Sequence, residues 1–491
     1  MRPRFLSLCL LYAITACQVY PASPSLATPL PFILVTTAPN ASPTPTPFQP
    51  LLPTPTPFQP FLPTPTEIVP PTLTPSLPPP PTTAVDISTL LPTPAPADII
   101  ENPSSAPPPM PIQSEQETTN FLLIGSDKRT GSSFRTDTLV IVILRPKEEQ
   151  VTLISIPRDL WVYIPTLGMQ RVNTAYQHGE LYNYPGGGPG LLKDTIQYNL
   201  GIRIDHTAMV EFDGFRRIVN TLGGIDVPVA CAYTDWRLID PSFDPYNENN
   251  WALYTVGAGV VHMDGDLALW YARSRMKSND FDRGRRQQEV LRTIYTRALQ
   301  TDILTKIPQL YADLINAVTT DLNLPNLLQL AVLAPRMTNA RIRSYYIRPP
   351  LVSSWITPLG AYVLLPNGTL LQQMIQEALI PSPRLAERER AIIEVQNGTP
   401  FEGWDALAAA RLNYAGYEAR LAPADRRDYG YSILVDLTTT QDANQSSNIL
   451  SVLGLYSGSL IPMPDPNSTA GYRVILGYDY QPCFNPENLT P

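Results

Sequence analysis

The stretch SSFRTDTLVIVIL, residues 132–144, holds the feature that decides the fold, an apolar run entered through charged residues. Leu139 to Leu144 has the composition of a buried strand, rich in leucine, valine and isoleucine. Arg135 and Asp137 stand two positions apart at its start, so the alternation of a strand directs both side chains to one face. The two charges either pair in water or form an anion site, in which the arginine binds phosphate and the aspartate binds a metal ion.

Further strand and helix patterns surround this run. Two flanking segments read as strands, NFLLIGSD (120–127) and QVTLISIP (150–157). Three later segments have the period of amphipathic helices: GPGLLKDTIQYNLG (188–201), EFDGFRRIVNTLGG (211–224) and RRQQEVLRTIYTRALQ (285–300). Strands and helices that interleave along the chain predict an α/β fold, with a sheet layered between helices.

The beginning of the chain has a different composition. Residues 1–16 combine a basic start with a short apolar run, which is typical of an export signal, and ITAC (14–17) resembles a bacterial lipobox in which Cys17 is acylated. An ordinary signal with a stray cysteine, or a short membrane anchor, is the alternative. Residues 17–114 are rich in proline and threonine and predict a disordered, extended tether. These features predict an extracytoplasmic protein, lipid-anchored to the outer face of the cell membrane.

Arginines recur where the predicted elements begin or end, although the net charge of the chain is −8. They are Arg135, Arg158, Arg171, Arg273, Arg275, Arg283, Arg285 and Arg286. A guanidinium binds phosphate through two parallel hydrogen bonds, and several together would neutralise a diphosphate. Each arginine alone is compatible with a surface ion pair, but the set favours a shared anionic ligand. The acidic overall balance and the export signal disfavour nucleic acid as that ligand.

The order of motifs resembles the LytR-CpsA-Psr family across roughly residues 119–300. The motifs are NFLLIGSDKR, FRTDT, LISIPRDLWVYIP, RVNTAY, LGIRIDHTAMVEFDGFRRIVNTLGGIDV, GVVHMDGDLALWYARSR and DFDRGRRQQEVL. The resemblance implies a central mixed β-sheet layered between helices. It also implies an extracytoplasmic transferase that moves a glycopolymer from a polyprenyl-diphosphate carrier to peptidoglycan or another envelope acceptor.

The resemblance also implies roles for single residues. Arg135, Arg158, Arg273, Arg275 and Arg283 correspond to the catalytic arginines of a diphosphate cradle, and Arg171, Arg286 and Gln287 are expected to contact the substrate. Asp127 and Asp137 are the expected ligands of Mg²⁺, or of Mn²⁺, since both ions prefer hard oxygen donors. The chain departs from the family pattern at Arg171, which stands where lysine is frequent, and at Thr174, which replaces the histidine of INHAY. The general base stays open.

The chain is divided accordingly. Residues 115–300 are predicted to form the catalytic domain, and residues 301–385 a helical continuation or bridge. Residues 386–491 resemble the LytR-type C-terminal domain, a smaller α/β unit that we interpret as a binding or positioning module. Cys231 and Cys483 are able to pair in an oxidising compartment, and the sequence leaves that pairing open.

Two alternatives to the transferase stay open. One is a polyprenyl-diphosphate phosphohydrolase, in which water replaces the glycan acceptor. The other is a non-catalytic module that binds the lipid or the wall. The pair Asp127 and Asp137 favours catalysis, because a binder needs only the arginines.

Overall fold

The computed structural model describes residues 105–112, 117–126, 136–276, 278–300, 318–338, 341–381 and 392–483. These residues all belong to one compact unit, Ile87–Pro491. The export signal, Cys17, Asp127 and Arg135 lie outside the described residues. None of the helices within the described ranges is both long enough and apolar enough to cross a membrane.

The first part of the unit is built on a mixed sheet. Its strands and the short hairpins around it are β1 (Thr119–Ser126), β2 (Thr136–Arg145), β3 (Gln150–Ile156), β4 (Trp161–Ile164), β5 (Gly168–Arg171), β6 (His206–Glu211), β7 (Ile225–Val229), β8 (Tyr233–Leu238), β9 (Trp251–Val256), β10 (Gly259–Met263), β11 (Val318–Thr320), β12 (Ile342–Tyr346), β13 (Val352–Ile356) and β14 (Tyr362–Pro366). Six of them form one sheet in the order β11-β6-β1-β2-β3-β12. β2 pairs antiparallel with β1 and β3, whereas β6 and β12 add in parallel, so the sheet is mixed as expected.

Helices cover both faces of this sheet. They are α1 (Ala175–Leu181), α2 (Gly187–Leu200), α3 (Phe212–Thr221), α4 (Gly265–Arg273), α5 (Asp280–Gln300), α6 (Leu324–Leu333) and α7 (Gly368–Leu379). On one face Leu122 and Ile141 share a core with Leu192 of α2 and Ile375 of α7. On the other face the neighbouring Val140 lies in a cluster with side chains of α5. Successive residues of β2 therefore enter different cores, which explains its uninterrupted apolar run. The predicted layered α/β fold is confirmed.

The segment between the two predicted domains differs from the helical expectation. Its described residues supply both edge strands of the sheet, β11 and β12, in addition to α6 and α7. β12 lies in parallel register with β3, where Ile342 faces Val151. Its β-branched and aromatic residues suit a pleated edge better than a helix. The segment thus completes the first sheet.

Residues 105–112 are held against the end of α2. The Met110 N–H donates to the Tyr198 carbonyl at 2.8 Å, and the Tyr198 hydroxyl donates to the Pro107 carbonyl at 2.7 Å. Gly201, with φ of +65°, ends α2, and a Cβ at this position would lie 2.4 Å from the Pro111 carbonyl oxygen. Glycine is therefore required both by the left-handed backbone and by the close approach of the Pro111 carbonyl. These residues fall within the predicted disordered tether, 17–114, so the structure corrects the end of that segment, because hydrogen bonds hold them against α2. We call residues 105–112 the entry strap.

The C-terminal part is a smaller α/β unit with its own core. It contains β15 (Ile392–Asn397), α8 (Trp404–Tyr414), β16 (Glu418–Ala422), β17 (Ile433–Asp436), α9 (Ala443–Leu453), β18 (Leu460–Pro462) and β19 (Tyr472–Leu476). The strand order is β16-β15-β19-β17-β18. Ile393 and Val474 pack with Leu412 of α8 and Ile449 of α9.

The two parts are joined covalently and through α8. Cys231 and Cys483, whose pairing the sequence left open, form a disulfide with their Cα atoms 4.5 Å apart. Arg292 of α5 is buried and donates to the carbonyls of Asn413 (3.4 Å) and Ile342 (3.2 Å). Its guanidinium also lies 4.2 Å from the ring centroid of Tyr414. A cation thus meets the carbonyl end of α8, where the helix dipole favours positive charge.

Candidate active site

The site begins where β2 starts and β3 ends. The antiparallel register places Leu139 opposite Ile156, so residues just before one and just after the other meet at the same edge of the sheet. Asp137 and Arg158 accordingly lie side by side, and Arg158 Nη1 donates to Asp137 Oδ1 at 2.9 Å.

The carboxylate of Asp280, at the start of α5, contacts three arginines. One lies on α5 itself, one follows β3 and one follows α4. The Asp280 carboxylate lies 3.4 Å from Arg283 Nη1, 3.5 Å from Arg158 Nε and 3.6 Å from Arg275 Nε. Arg283 is buried on the same helix, whereas Arg275 comes from the loop after α4. Asp280 is not among the site residues that the sequence predicts, although its position three residues before Arg283 at a helix start is a signal for it.

Asp159 extends the cluster towards β5. Its Oδ2 lies 3.3 Å from Arg158 Nε, and its Oδ1 lies 3.6 Å from Arg171 Nε. Arg171 therefore joins the group. It does so through Asp159, which is not among the site residues that the sequence predicts. We call the seven side chains of this group the arginine cluster: Asp137, Arg158, Asp159, Arg171, Arg275, Asp280 and Arg283.

A narrow cleft lies beside the arginine cluster. Its polar lining comprises Asp137, Ser155, Arg158, Asp280, Arg283 and Gln287, and its apolar lining includes Leu139, Ile156, Pro157, Phe281 and Ile347. The predicted polar contact Gln287 thus faces the cleft. Guanidiniums beside an apolar wall suit a ligand with an anionic group attached to an apolar chain.

The carboxylates hold the arginines in place. Burial alone would lower the pKa of Arg158, but the hydrogen bond from its guanidinium to Asp137 and the charges of Asp137, Asp159 and Asp280 raise it. Four guanidiniums share three carboxylates in the arginine cluster, so the guanidiniums are preorganised before any ligand arrives. A diphosphate would compete with these carboxylates for the same donors.

Arg286 has a different place from the one expected. It is 1% exposed, and it donates to Asp282 Oδ2 and Ser278 Oγ, both at 3.1 Å, and to the carbonyls of Tyr271 and Ser274. With its donors used inside the protein, it braces the loop that carries Arg275. We therefore revise its role from substrate contact to positioning residue.

Arg273 also lies apart from the cleft lining. Its side chain is exposed at the end of α4, with the guanidinium 4.0 Å from the ring centroid of Phe212. Asp127, Arg135 and Cys17 lie outside the described residues, so their predicted roles stay predictions. In the described ranges no group of three or more histidine, cysteine, aspartate or glutamate side chains is arranged to hold a metal ion. In the described lining of the cleft, Asp137 and Asp280 supply hard carboxylate donors.

The chain is similar in sequence to several known proteins. The teichoic acid transferase TagV of Bacillus subtilis is 29% identical over 271 residues, which is 54% of this chain and 64% of that protein. TagU of Oceanobacillus iheyensis is 29% identical over 218 residues (44% and 62%). The probable cell wall biosynthesis protein LcpB of Corynebacterium glutamicum is 32% identical over 218 residues (41% and 47%). The chain thus spans 47 to 64% of the length of these curated relatives.

Solved structures were also found. The crystal structure of Bacillus subtilis TagV is 26% identical, with a TM-score of 0.44, and the match covers 55% of this chain and all of that one. A structure of TagT bound to LIIa-WTA is 23% identical, with a TM-score of 0.42, covering 56% and 97%.

The family model of LytR_cpsA_psr matches residues 96–379. This range contains every described member of the arginine cluster and the whole six-stranded sheet. Because the match extends over more than half of the chain, the protein belongs to the LytR_cpsA_psr family.

Proposed function

We propose that this protein is an extracytoplasmic transferase that moves a glycopolymer from a polyprenyl-diphosphate carrier to peptidoglycan or another envelope acceptor. The observation that carries the proposal is the convergence of Arg158, Arg275 and Arg283 on Asp280 beside a partly apolar cleft. The names of TagU and TagV support it, since both are called polyisoprenyl-teichoic acid–peptidoglycan teichoic acid transferases.

The chemistry follows from charge. An acceptor hydroxyl attacks the phosphorus or the carbon at the glycopolymer end of the diphosphate link and forms a new bond there. The bond from that atom to the lipid phosphate or diphosphate breaks, and its electrons leave with the lipid. Negative charge grows on the departing oxygens, and fixed guanidiniums stabilise it more in the transition state than in the ground state. The buried Arg283 and the carboxylate-held Arg158 are placed for this task.

We further propose Mg²⁺, or Mn²⁺, as the cofactor. The donor chemistry fits, because Asp137 offers a carboxylate in the cleft next to the guanidiniums. Asp127 is the proposed second ligand. When bound, the ion would neutralise part of the diphosphate charge.

The proposed location is the outer face of the cell membrane. Acylated Cys17 would anchor the chain, and the proline-rich residues ahead of the entry strap would link the folded unit to the anchor. The proposed partners are a polyprenyl-diphosphate-linked glycan, an envelope polymer as acceptor, and the membrane itself.

The test is turnover by the full chain, with a polyprenyl-diphosphate-linked glycan, peptidoglycan and Mg²⁺. Arg158→Ala and Arg275→Ala should each lower the rate by about 10²–10³-fold, by analogy with removing one preorganised oxyanion donor. Arg420→Ala, an exposed arginine of β16 that pairs with Glu418, is the matched control and should keep full activity. Equal losses in all three variants, or unfolding of the first two, would contradict the proposal.

The same assay separates the alternatives through Asp137→Asn, which keeps an oxygen acceptor for Arg158 but removes the charge. The variant should still bind the lipid diphosphate and lose Mg²⁺-dependent turnover. Release of free glycan without transfer by the native chain would indicate a phosphohydrolase. Lipid binding without any metal-dependent turnover would indicate a binding module.

A further inference from the structure

The hairpin β13–β14 is unusual in its chemistry. It lies in residues 349–376, which contain no aspartate, glutamate, lysine, arginine or histidine. At its tip Leu359 is 97% exposed, and Ile356 (66%) and Tyr362 (51%) are paired directly opposite each other. Three large apolar side chains therefore stand together in water on an uncharged projection, which marks an interaction surface.

Three of the four backbone N–H groups at the tip, residues 357–361, are bonded within the hairpin. The Thr357 N–H donates to the Ala361 carbonyl at 2.9 Å, and the Gly360 N–H donates to the Thr357 carbonyl at 2.8 Å. The Ala361 N–H donates to Thr357 Oγ1 at 3.0 Å, and residue 358 is a proline without an N–H group. An apolar medium raises the free energy of backbone N–H groups that lack a hydrogen-bond partner. Because this tip has few such groups, the free-energy cost of moving its backbone out of water is low.

The hairpin is tied directly to the arginine cluster. The Leu364 N–H donates to the Asp159 carbonyl at 2.9 Å, and the Asp159 side chain contacts Arg158 and Arg171. Trp355 packs edge-on against Trp161, with the ring centroids 6.0 Å apart, and Trp161 lies opposite Arg171. Leu359 precedes Leu364 by five residues, so the tip is at most roughly 17 Å from the Leu364 anchor.

A second exposed hairpin shows by contrast what is special here. The β8–β9 connection also presents large side chains, among them Tyr246 and Phe243. It carries Asp240, Asp244 and Glu248 as well, which an anionic lipid surface would repel. The β13–β14 tip has no such charges and combines aliphatic side chains with Trp355 and Tyr362, the composition of an interfacial anchor.

We propose that the β13–β14 hairpin, residues 352–366, inserts its tip into the membrane surface and so places the arginine cluster at the level of the lipid headgroups. A polyprenyl diphosphate would then reach the cleft without its chain leaving the bilayer. This inference rests on the proposed function for the identity of the membrane-borne substrate. The insertion itself depends only on the hairpin.

The direct test uses the full chain on vesicles of phosphatidylethanolamine and phosphatidylglycerol. Benzoylphenylalanine, a photo-crosslinker, replaces Leu359, and mass spectrometry identifies the adducts formed on illumination. Lipid adducts are expected at position 359. They are not expected when the crosslinker replaces Leu421 of β16, which is 57% exposed and serves as the matched control. Adducts to a second copy of the chain, adducts at both positions in equal yield, or no lipid adduct would each overturn the proposal.

A functional arm keeps the inference separate from the proposed function. Leu359→Asp should lower turnover of a vesicle-embedded substrate by about ten-fold or more, the order by which burying one leucine changes a partition coefficient. It should leave turnover of a detergent-dispersed, short-chain substrate unchanged, and Leu421→Asp should change neither. Lipid adducts without turnover of any substrate would contradict the transferase function and support the insertion. Normal turnover without lipid adducts would support the transferase function and contradict the insertion.

Discussion

Two aspartates in the first turn of α5 hold arginines on different sides of the helix. Asp280 contacts Arg158, Arg275 and Arg283 in the cleft. Asp282 binds Arg286 Nε at 3.1 Å and Arg285 Nη2 at 2.7 Å. Arg286 in turn braces the loop of Arg275, so Asp282 supports the site although it does not line the cleft.

Acid should therefore weaken the fold through Asp282. Burial alone would raise its pKa, but attraction and hydrogen bonds from Arg285 and Arg286 outweigh burial and lower it. The folded pKa thus lies below the unfolded value of about 4, so the stabilisation is present above that pH and is lost as the pH falls through the folded pKa. In urea denaturation at a series of pH values, Asp282→Asn should lose less free energy of unfolding below about pH 4 than the native chain.

The control for this experiment is Asp213→Asn, whose carboxylate is exposed and pairs with Arg216 on the surface. It should follow the native pH dependence. A native slope in Asp282→Asn as well would show that the ion pairs of α5 contribute nothing to acid stability.

At the level of single residues, the sequence predicts which side chains belong to the site better than it predicts their burial and their neighbours. Residue type and family resemblance predict that phosphate is bound by Arg158, Arg171, Arg275 and Arg283, and the fold brings these four side chains together. The burial of Arg286 was not predictable, because it depends on Tyr233, which is distant in the chain and lies 4.4 Å from its guanidinium. Asp137 meets Arg158 only through the register of β2 and β3, which an apolar run does not specify.

Among the elements, α5 connects the two parts of the unit. Its first turn carries Asp280 and Arg283, and three turns later Arg292 reaches the last carbonyls of α8. α8 therefore ends on a side chain of the catalytic part. The period of the apolar residues predicts α5 but not its contact with α8, because Arg292 and Asn413 belong to segments far apart in the chain.

Replacing Arg292 should loosen this joint. Arg292→Met keeps an apolar stem but leaves the buried carbonyls of Ile342, Asn413 and Tyr414 without their donor. Leaving buried acceptors unsatisfied costs about 1–3 kcal/mol, so we expect a loss of that order in the free energy of unfolding. Denaturant unfolding measures it, and Arg420→Met on the exposed face of β16 is the control. A change no larger than that of the control would mean that the contact is energetically neutral.

Across the whole molecule, the C-terminal part is fixed to the catalytic part. The disulfide joins residues 252 positions apart, and Arg411 Nη2 donates to the Pro482 carbonyl at 2.9 Å beside it. The sequence left this pairing open because the distance between two cysteines is a property of the complete fold. A positioning module, as predicted from the family resemblance, would suit such a fixed attachment.

Removing the disulfide should lower stability more than a typical point substitution. In the chain-entropy model, closing so long a loop contributes on the order of 5 kcal/mol, which native-state adjustment reduces. Denaturant titration of the native chain should therefore shift to lower midpoint when a reductant is added. Cys231→Ser should show that lower midpoint already and should not respond to reductant. An unchanged midpoint in the reduced native chain would mean that non-covalent contacts alone hold the two parts.

The entry strap has a mechanical consequence. A pull on the chain ahead of residue 105 would reach the folded unit at Pro107 and Met110, whose hydrogen bonds with Tyr198 would transmit it to α2 before it reached β1. β1 lies between β6 and β2, and β2 carries Asp137. Force on the chain ahead of the entry strap would therefore act first on the surface of α2, and only afterwards on the strands that set the spacing of the guanidiniums.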